Sequence, residues 1–348
     1  MNPGFIERFG TWENFLAALT ATFLAYAVLC VPGFATVFNV SQAIAGASER
    51  VLIVLPMVLL IIAREIDLSV ASILALSSVI FGVLVQGGVP LSLAVVLVLA
   101  FGALAGAFNG GLVTRLGLPS LVVTLGTMAM FRGIGYIVLG SGSVNEFPEA
   151  FTDFGINTIG DTPLPWTIAP FLILAPLFAI ALERTAVGRR IYAIGGNPDV
   201  ARYAGVYVDR IRLGLFVASG VVSALASIVF TARLANSRAD NAVGMELDVI
   251  TIALLGGVSV FGGRGRMVGV FCALILIATL RNVLGLLQVG GDAQGTITGL
   301  LLILSLLASS TAQRLYAAYL SFAKPPHSAG SSPGGQPVSV KNAPDSRM

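Results

Sequence analysis

Long apolar runs recur along this chain, and its charges fall almost entirely in the gaps between them. A helix rising 1.5 Å per residue needs about 20 apolar residues to cross roughly 30 Å of hydrocarbon. Ten runs reach that length with some tolerance: 12–31, 44–63, 68–85, 91–113, 119–139, 165–182, 213–232, 247–261, 267–287 and 295–310. The eighth is short and ends in glycines, which predicts a broken or tilted helix. The pattern specifies an all-α, polytopic membrane protein with about 10 transmembrane helices. No small-residue cleavage site follows the first run, so it reads as an uncleaved first helix. From residue 323 the chain turns to Pro, Gly, Ser and polar residues, which predicts a disordered tail over 323–348 behind a membrane domain of 1–322.

The basic residues orient the spans. With ten spans and an inside N-terminus, the inner loops hold Arg8, Arg64, Arg115, six arginines between 183 and 212, Arg264, Arg266 and the basic residues of the tail. The outer loops hold Arg233 and Arg238, and the outer loop 140–164 carries Glu146, Glu149, Asp153 and Asp161 with no base. Both termini are therefore expected in the cytoplasm.

Composition agrees: 56% of residues are hydrophobic and 11% charged, against about a quarter charged in soluble domains. The formal charge of +3 sits in loops between spans, so orientation in the bilayer explains it and nucleic-acid binding is not expected. Cys30 and Cys272 lie inside apolar runs and the one histidine, His327, lies in the tail. That leaves no thiolate or imidazole set for a metal centre and no catalytic group in the membrane body.

Three arginines fall inside runs: Arg50, Arg132 and Arg281. An intramembrane charge is costly, so each is either paired, with Glu49 beside Arg50, or faces a pathway. Asp67 and Ser69 sit between two runs, where they either cap the following helix or line a break in the pathway. Gly102, Gly106 and Gly110 recur every fourth residue and lay a strip of bare backbone on one helix face, a packing signal, with Asn109 beside it. In the long inner loop of about 183–212, Asn197 is a good N-cap, Pro198 suits the first helical position and Gly205 the stop. A helix of about two turns over 198–204 follows, either a docking surface for a soluble partner or a loop held at anionic membrane lipid.

At this loop the chain resembles the permeases of ATP-binding-cassette importers of the ribose-type sugar family. The resemblance lies in the segment from Thr185 through Gly188, Arg189, Arg190 and Gly195 to Pro198, then Ala201, Arg202 and Gly205. It extends to Glu65-Ile66-Asp67-Leu68-Ser69-Val70, Asn109-Gly110, Pro119 with Val123-Thr124-Leu125-Gly126-Thr127, Leu254-Leu255-Gly256-Gly257-Val258-Ser259 and Phe261-Gly262-Gly263. Arg64-Glu65 departs from the paired glycines of many members and is expected to stiffen that turn. The outer segment from Phe147 to Gly155 is most similar to rhamnose and autoinducer-2 permeases, and the run from Met245 to Val249 leans toward rhamnose.

The resemblance implies a permease of the bacterial inner membrane that moves a monosaccharide without altering it. Its partners would be a cytoplasmic ATPase, a second permease chain (homodimer or heterodimer) and a periplasmic sugar-binding protein. No cofactor is expected on this chain, with ATP and Mg held by the ATPase. The only lysines, Lys324 and Lys341, follow Ala323 and Val340, so no Walker A loop is present. The residues expected to couple to the ATPase are Arg189, Arg190, Asn197, Asp199, Ala201, Arg202 and Gly205. Candidates for the pathway, chosen as modest partners for sugar hydroxyls, are Asp67, Ser69, Ser72, Ser77, Asn109, Thr124, Thr127 and Asn282. Two rivals remain at this point. A permease for branched-chain amino acids would need groups for ammonium and carboxylate. An ion-coupled secondary transporter would favour midspan carboxylates.

Overall fold

The computed structural model describes residues 12–304 except 292 and 302. Among these residues no strand forms; only the isolated bridges Val144–Ser237 and Thr158–Pro165 interrupt an all-helical chain. In order come α1 (Trp12–Cys30), α2 (Val37–Ile62), α3 (Val70–Gln86), α4 (Leu91–Arg115), α5 (Ser120–Leu139) and α6 (Glu149–Ile156). A 3₁₀ turn (Trp166–Ile168) then leads into α7 (Ala169–Arg184), followed by α8 (Ala186–Gly196), α9 (Pro198–Tyr203), α10 (Val208–Leu234), α11 (Met245–Leu255) and α12 (Met267–Leu286). Residues 291, 293–301, 303 and 304 are helical too.

Seven helices among the described residues are long and apolar enough to cross a bilayer: α1, α2, α4, α5, the 3₁₀ turn with α7, α10 and α12. The predicted third run is α3, apolar but only 17 residues long. The predicted eighth run differs more. Its helix, α11, has 11 residues, about 16 Å at 1.5 Å each, roughly half the hydrocarbon thickness. Gly244 at φ +82° starts it and Gly256-Gly257 stops it. A Cβ on Gly256 would lie 2.6 Å from Val270 Cα, so these glycines also press α11 onto the start of α12. Part of the tenth run and the whole predicted tail lie outside the described residues.

Two helices form the centre. In α2, every residue from Val51 to Ile62 is buried, because the helix is apolar all round and is packed by α10, α11, α7 and α12. Its span is 78% buried and that of α10 67%, against 17% for α1 and 28% for α4. The outward Leu104, Ile137 and Ile173 belong to that lipid-facing rim.

The glycine strip of α4 meets α10. A Cβ on Gly102 would sit 2.5 Å from the carbonyl oxygen of Gly220, one on Gly106 2.2 Å from that of Phe216, and one on Gly110 2.9 Å from Leu213 Cδ1. Backbone therefore touches backbone, and the partner glycine, Gly220, belongs to the same crossing: its Cβ would be 2.1 Å from the Gly102 oxygen.

Candidate functional site

At the arginine-rich end, Thr185 caps α8 by accepting from the amides of Val187 and Gly188, and Asn197 caps α9 by accepting from Asp199 (2.9 Å) and Val200 (3.2 Å). The helix α9 runs one residue short of the expected Ala204, which is its C-cap, and Gly205 follows at φ +82°. The sequence reading placed a helix only over 198–204, and the structure adds the eleven-residue α8 before it. The structure uses Gly195 for contact: a Cβ there would lie 1.8 Å from the Ile62 oxygen.

This pair of helices presents a two-sided surface. Ile191, Ile194 and Ala201 are buried, while Arg189, Arg190, Asn197, Asp199, Arg202 and Gly205 are exposed. Val200 and Tyr203 stand 62% and 94% exposed, an apolar patch at the end of the bundle flanked by the Arg202–Asp209 (2.8 Å) and Arg202–Asp199 (3.7 Å) ion pairs.

Arg64 anchors the patch to the bundle. It holds a left-handed backbone, φ +67°, where glycine is the ordinary occupant. Its guanidinium donates to the carbonyls of Gly195 (2.7 Å), Gly196 (2.7 Å) and Phe261 (2.8 Å). The end of α2 is thereby pinned to the α8–α9 junction. Next to it Glu65 pairs with Arg212 at 2.9 Å. Burial pushes the Glu65 carboxyl above its ordinary value, an effect partly offset by the Ser120 hydroxyl and by Arg212.

Deeper in, Asp67 is fully buried, without a cationic partner among the described residues. Its carboxylate accepts from the Ser69 amide (3.0 Å), the Ser69 hydroxyl (2.5 Å) and the Ser219 hydroxyl (2.9 Å). The expected helix cap is thus corrected in detail: Ser69 is the N-cap residue of α3, but its hydroxyl donates to Asp67 and accepts from Asn109 Nδ2 (2.8 Å). Ser72 donates to the Ser69 carbonyl, and Thr124 donates to the carbonyls of Ser120 (2.8 Å) and Ile66 (3.2 Å). Thr127 donates weakly to Thr124, and Ser77 Oγ has no partner among the described residues. Facing this group, Ser219, Ser223, Ser227 and Thr231 of α10 make a fully buried hydroxyl stripe at four-residue spacing. That spacing was visible in the sequence as one helix face and was not singled out.

The expected pathway residues therefore separate. Asp67, Ser69, Ser72, Ser77, Asn109 and Thr124 share the closed seam of α3, α4, α5 and α10, at zero exposure, with Thr127 beside them. Asn282 is elsewhere, on α12, exchanging amide hydrogen bonds with Asn39 of α2 at 2.9 and 3.0 Å.

A third polar layer joins α2, α10, α11 and α12. Glu49, fully buried, takes Arg233 at 2.9 Å and leaves Arg50 at 3.9 Å. Arg50 pairs instead with Asp248 (3.2 Å), which also receives Arg281, and Arg281 reaches Thr298 at 3.1 Å. Arg132 donates to the carbonyls of Ala239 and Asn241. Thus each intramembrane arginine has partners, while Arg233, expected in an outer loop, bonds a buried acid. No His, Cys, Asp and Glu grouping among the described residues fits a metal ion.

A polytopic, all-helical membrane body with an exposed capped helix pair at its arginine-rich end is the build of a transport subunit. The chain belongs to the family described as branched-chain amino acid transport system / permease component, which matches residues 39–306. It is 35% identical over 265 residues to the Autoinducer 2 import system permease protein LsrD of Yersinia enterocolitica, covering 74% of this chain and 80% of that one. The proteins of the same description from Yersinia pseudotuberculosis and Yersinia pestis are each 33% identical, over 74% of this chain and 79% of theirs. No solved structure matches. The chain is a permease of an ATP-binding-cassette import system, a multi-pass protein of the bacterial inner membrane. Membership implies an ATPase and a substrate-binding protein as partners.

Proposed function

We propose that this chain is the membrane-spanning subunit of an importer carrying autoinducer-2, with rhamnose the next choice. The observation that carries the ligand is the 35% identity, over most of both chains, to a permease of an autoinducer 2 import system. In this reading about ten spans place both termini in the cytoplasm. Two permease chains, identical or related, enclose the pathway, and a periplasmic binding protein supplies the ligand. The paired ATPase holds ATP and Mg, and the permease needs no cofactor of its own.

Coupling follows from the arginine-rich end. Val200 and Tyr203 offer the ATPase an apolar foothold, and Asp199 and Arg202 offer charges for orientation. Movement of α9 is passed through α8 and Arg64 to the end of α2 and the Asp67 turn, biasing the body between outward and inward access. The family description favours a second reading, transport of branched-chain amino acids.

Uptake separates the readings. Cells lacking the chain are given autoinducer-2, radiolabelled rhamnose or radiolabelled leucine, then complemented with the chain, with and without a working ATPase. Autoinducer-2 uptake lost on deletion and restored only with the active ATPase is the expected result. Unchanged autoinducer-2 uptake with loss of leucine uptake would reverse the ligand assignment.

A further inference from the structure

The seam that holds most of the hydroxyl candidates is shut, with its side chains saturated mainly by one another. Open space lies instead at the arginine layer. One cavity of about 290 Å³ lies between α2 and α12, with Asn39, Gln42, Gly46, Arg50, Arg281 and Asn282 in its wall. A second, of about 490 Å³, is lined by Arg50, Arg238, Asp240, Asn241, Asp248 and Arg281. The two share Arg50 and Arg281, and both are of the size that holds small ligands.

The chemistry of the walls is one-sided. Asp248 gives one oxygen to Arg50 and the other to Arg281, and Asp240 gives both of its oxygens to Arg238. The carboxylates facing the cavities are thus already engaged by guanidinium groups. In the connected network, Arg50, Arg233 and Arg281 stand against Glu49 and Asp248, leaving one positive charge in excess. Among the described residues lining the cavities, no carboxylate is left without a guanidinium partner to balance an ammonium group. Guanidinium N–H groups and the Gln42 amide instead offer donors, with the Gln42 amide oxygen as acceptor, for adjacent hydroxyls, while the Asn39 and Asn282 amides bond each other.

We propose that the cavities bounded by Arg50 and Arg281 hold the transported ligand within the membrane, and that their walls select a hydroxyl-rich ligand without an ammonium group. This deepens the importer reading and rests on it. Arg50 and Arg281 are ligand contacts here and also structural partners of Asp248, so their removal risks the fold. Gly46 gives a cleaner test. It lies in the wall of the first cavity, a Cβ there meets nothing within 4 Å, and leucine favours a helix more than glycine does.

Two variants are compared in the full transporter. Gly46→Leu places its side chain in the cavity and leaves every charged residue of the ion pairs in the sequence. It should reduce autoinducer-2 or rhamnose uptake at least tenfold at unchanged membrane level, whereas Gly111→Leu, also in open space, should not. Gly46→Cys, in a chain carrying Cys30→Ser and Cys272→Ser, is alkylated by a small water-soluble maleimide in membrane vesicles. Autoinducer-2 or rhamnose should slow that labelling at least threefold, and leucine should leave it unchanged. Uptake by the unaltered chain reads the importer assignment, and the variant-to-unaltered ratio reads the cavity. Undiminished uptake by Gly46→Leu together with sugar-independent labelling would overturn the site. Protection by leucine equal to that by the sugars would overturn the selectivity.

Discussion

Replacing Gly106 with alanine would put a methyl carbon 2.2 Å from the Phe216 carbonyl oxygen and 2.9 Å from Val217 Cα. Carbon-to-oxygen contacts settle at about 3.3–3.6 Å, so α4 and α10 would have to part by about 1 Å. The atoms in the way are main chain, which no rotamer change can move aside. Overpacking of this kind costs about 1–3 kcal/mol, and alanine returns up to about 1 kcal/mol of helix propensity, so with clashing atoms on the main chain the loss falls toward the upper part of a net range of about 0–2 kcal/mol. The same α4 provides a control: Gly111 has nothing within 4 Å of an added Cβ, so Gly111→Ala should be neutral or gain up to about 1 kcal/mol. Thermal midpoints of the detergent-purified protein, read by loss of the monodisperse peak, should fall by several degrees for Gly106→Ala, taking roughly 2–4 °C per kcal/mol. A midpoint for Gly106→Ala at or above that of Gly111→Ala would refute the backbone contact.

Three further outcomes follow from single contacts. Gly205 sits at φ +82° after α9, so Gly205→Val strains the helix stop by about 1–2 kcal/mol and should abolish uptake with membrane insertion intact; wild-type uptake would count against coupling at α9. Arg64→Gly removes three donated hydrogen bonds but suits φ +67°, so the protein should still assemble with its ATPase while ligand carried per ATP hydrolysed falls; an unchanged ratio would free Arg64 of that part. Ser219→Ala leaves one Asp67 oxygen without its donor and should cost about 1.5–3 kcal/mol, whereas Ser223→Ala removes a hydroxyl with no partner among the described residues and should cost little; equal thermal midpoints would contradict the seam.

What the chain disclosed in advance depended on whether a feature is local. Apolar run length is local, so the spans near α1, α4, α5, α7 and α12 emerged almost at their observed ends. The caps Asn197 and Gly205 are local as well, and α9 was found within one residue. The predicted run began at 44, whereas α2 starts at Val37 with Thr36 as its cap and takes in the polar Asn39, Ser41 and Gln42, with Asn39 paired to Asn282. Pairings between distant residues were not legible. Glu49 sits beside Arg50 in sequence, yet Arg233, far along the chain, takes it, and Asp248 takes Arg50. That the hydroxyl residues near the resembling motifs pack against α10 is likewise a pairing that only the fold reveals.

The most direct test of the account is accumulation in proteoliposomes containing this chain, its ATPase and its binding protein. With ATP inside the nucleotide-facing compartment, labelled autoinducer-2 or rhamnose should concentrate above its external level, and a non-hydrolysable ATP analogue should abolish the accumulation. Uptake that ignores ATP and follows an imposed proton or sodium gradient would contradict it.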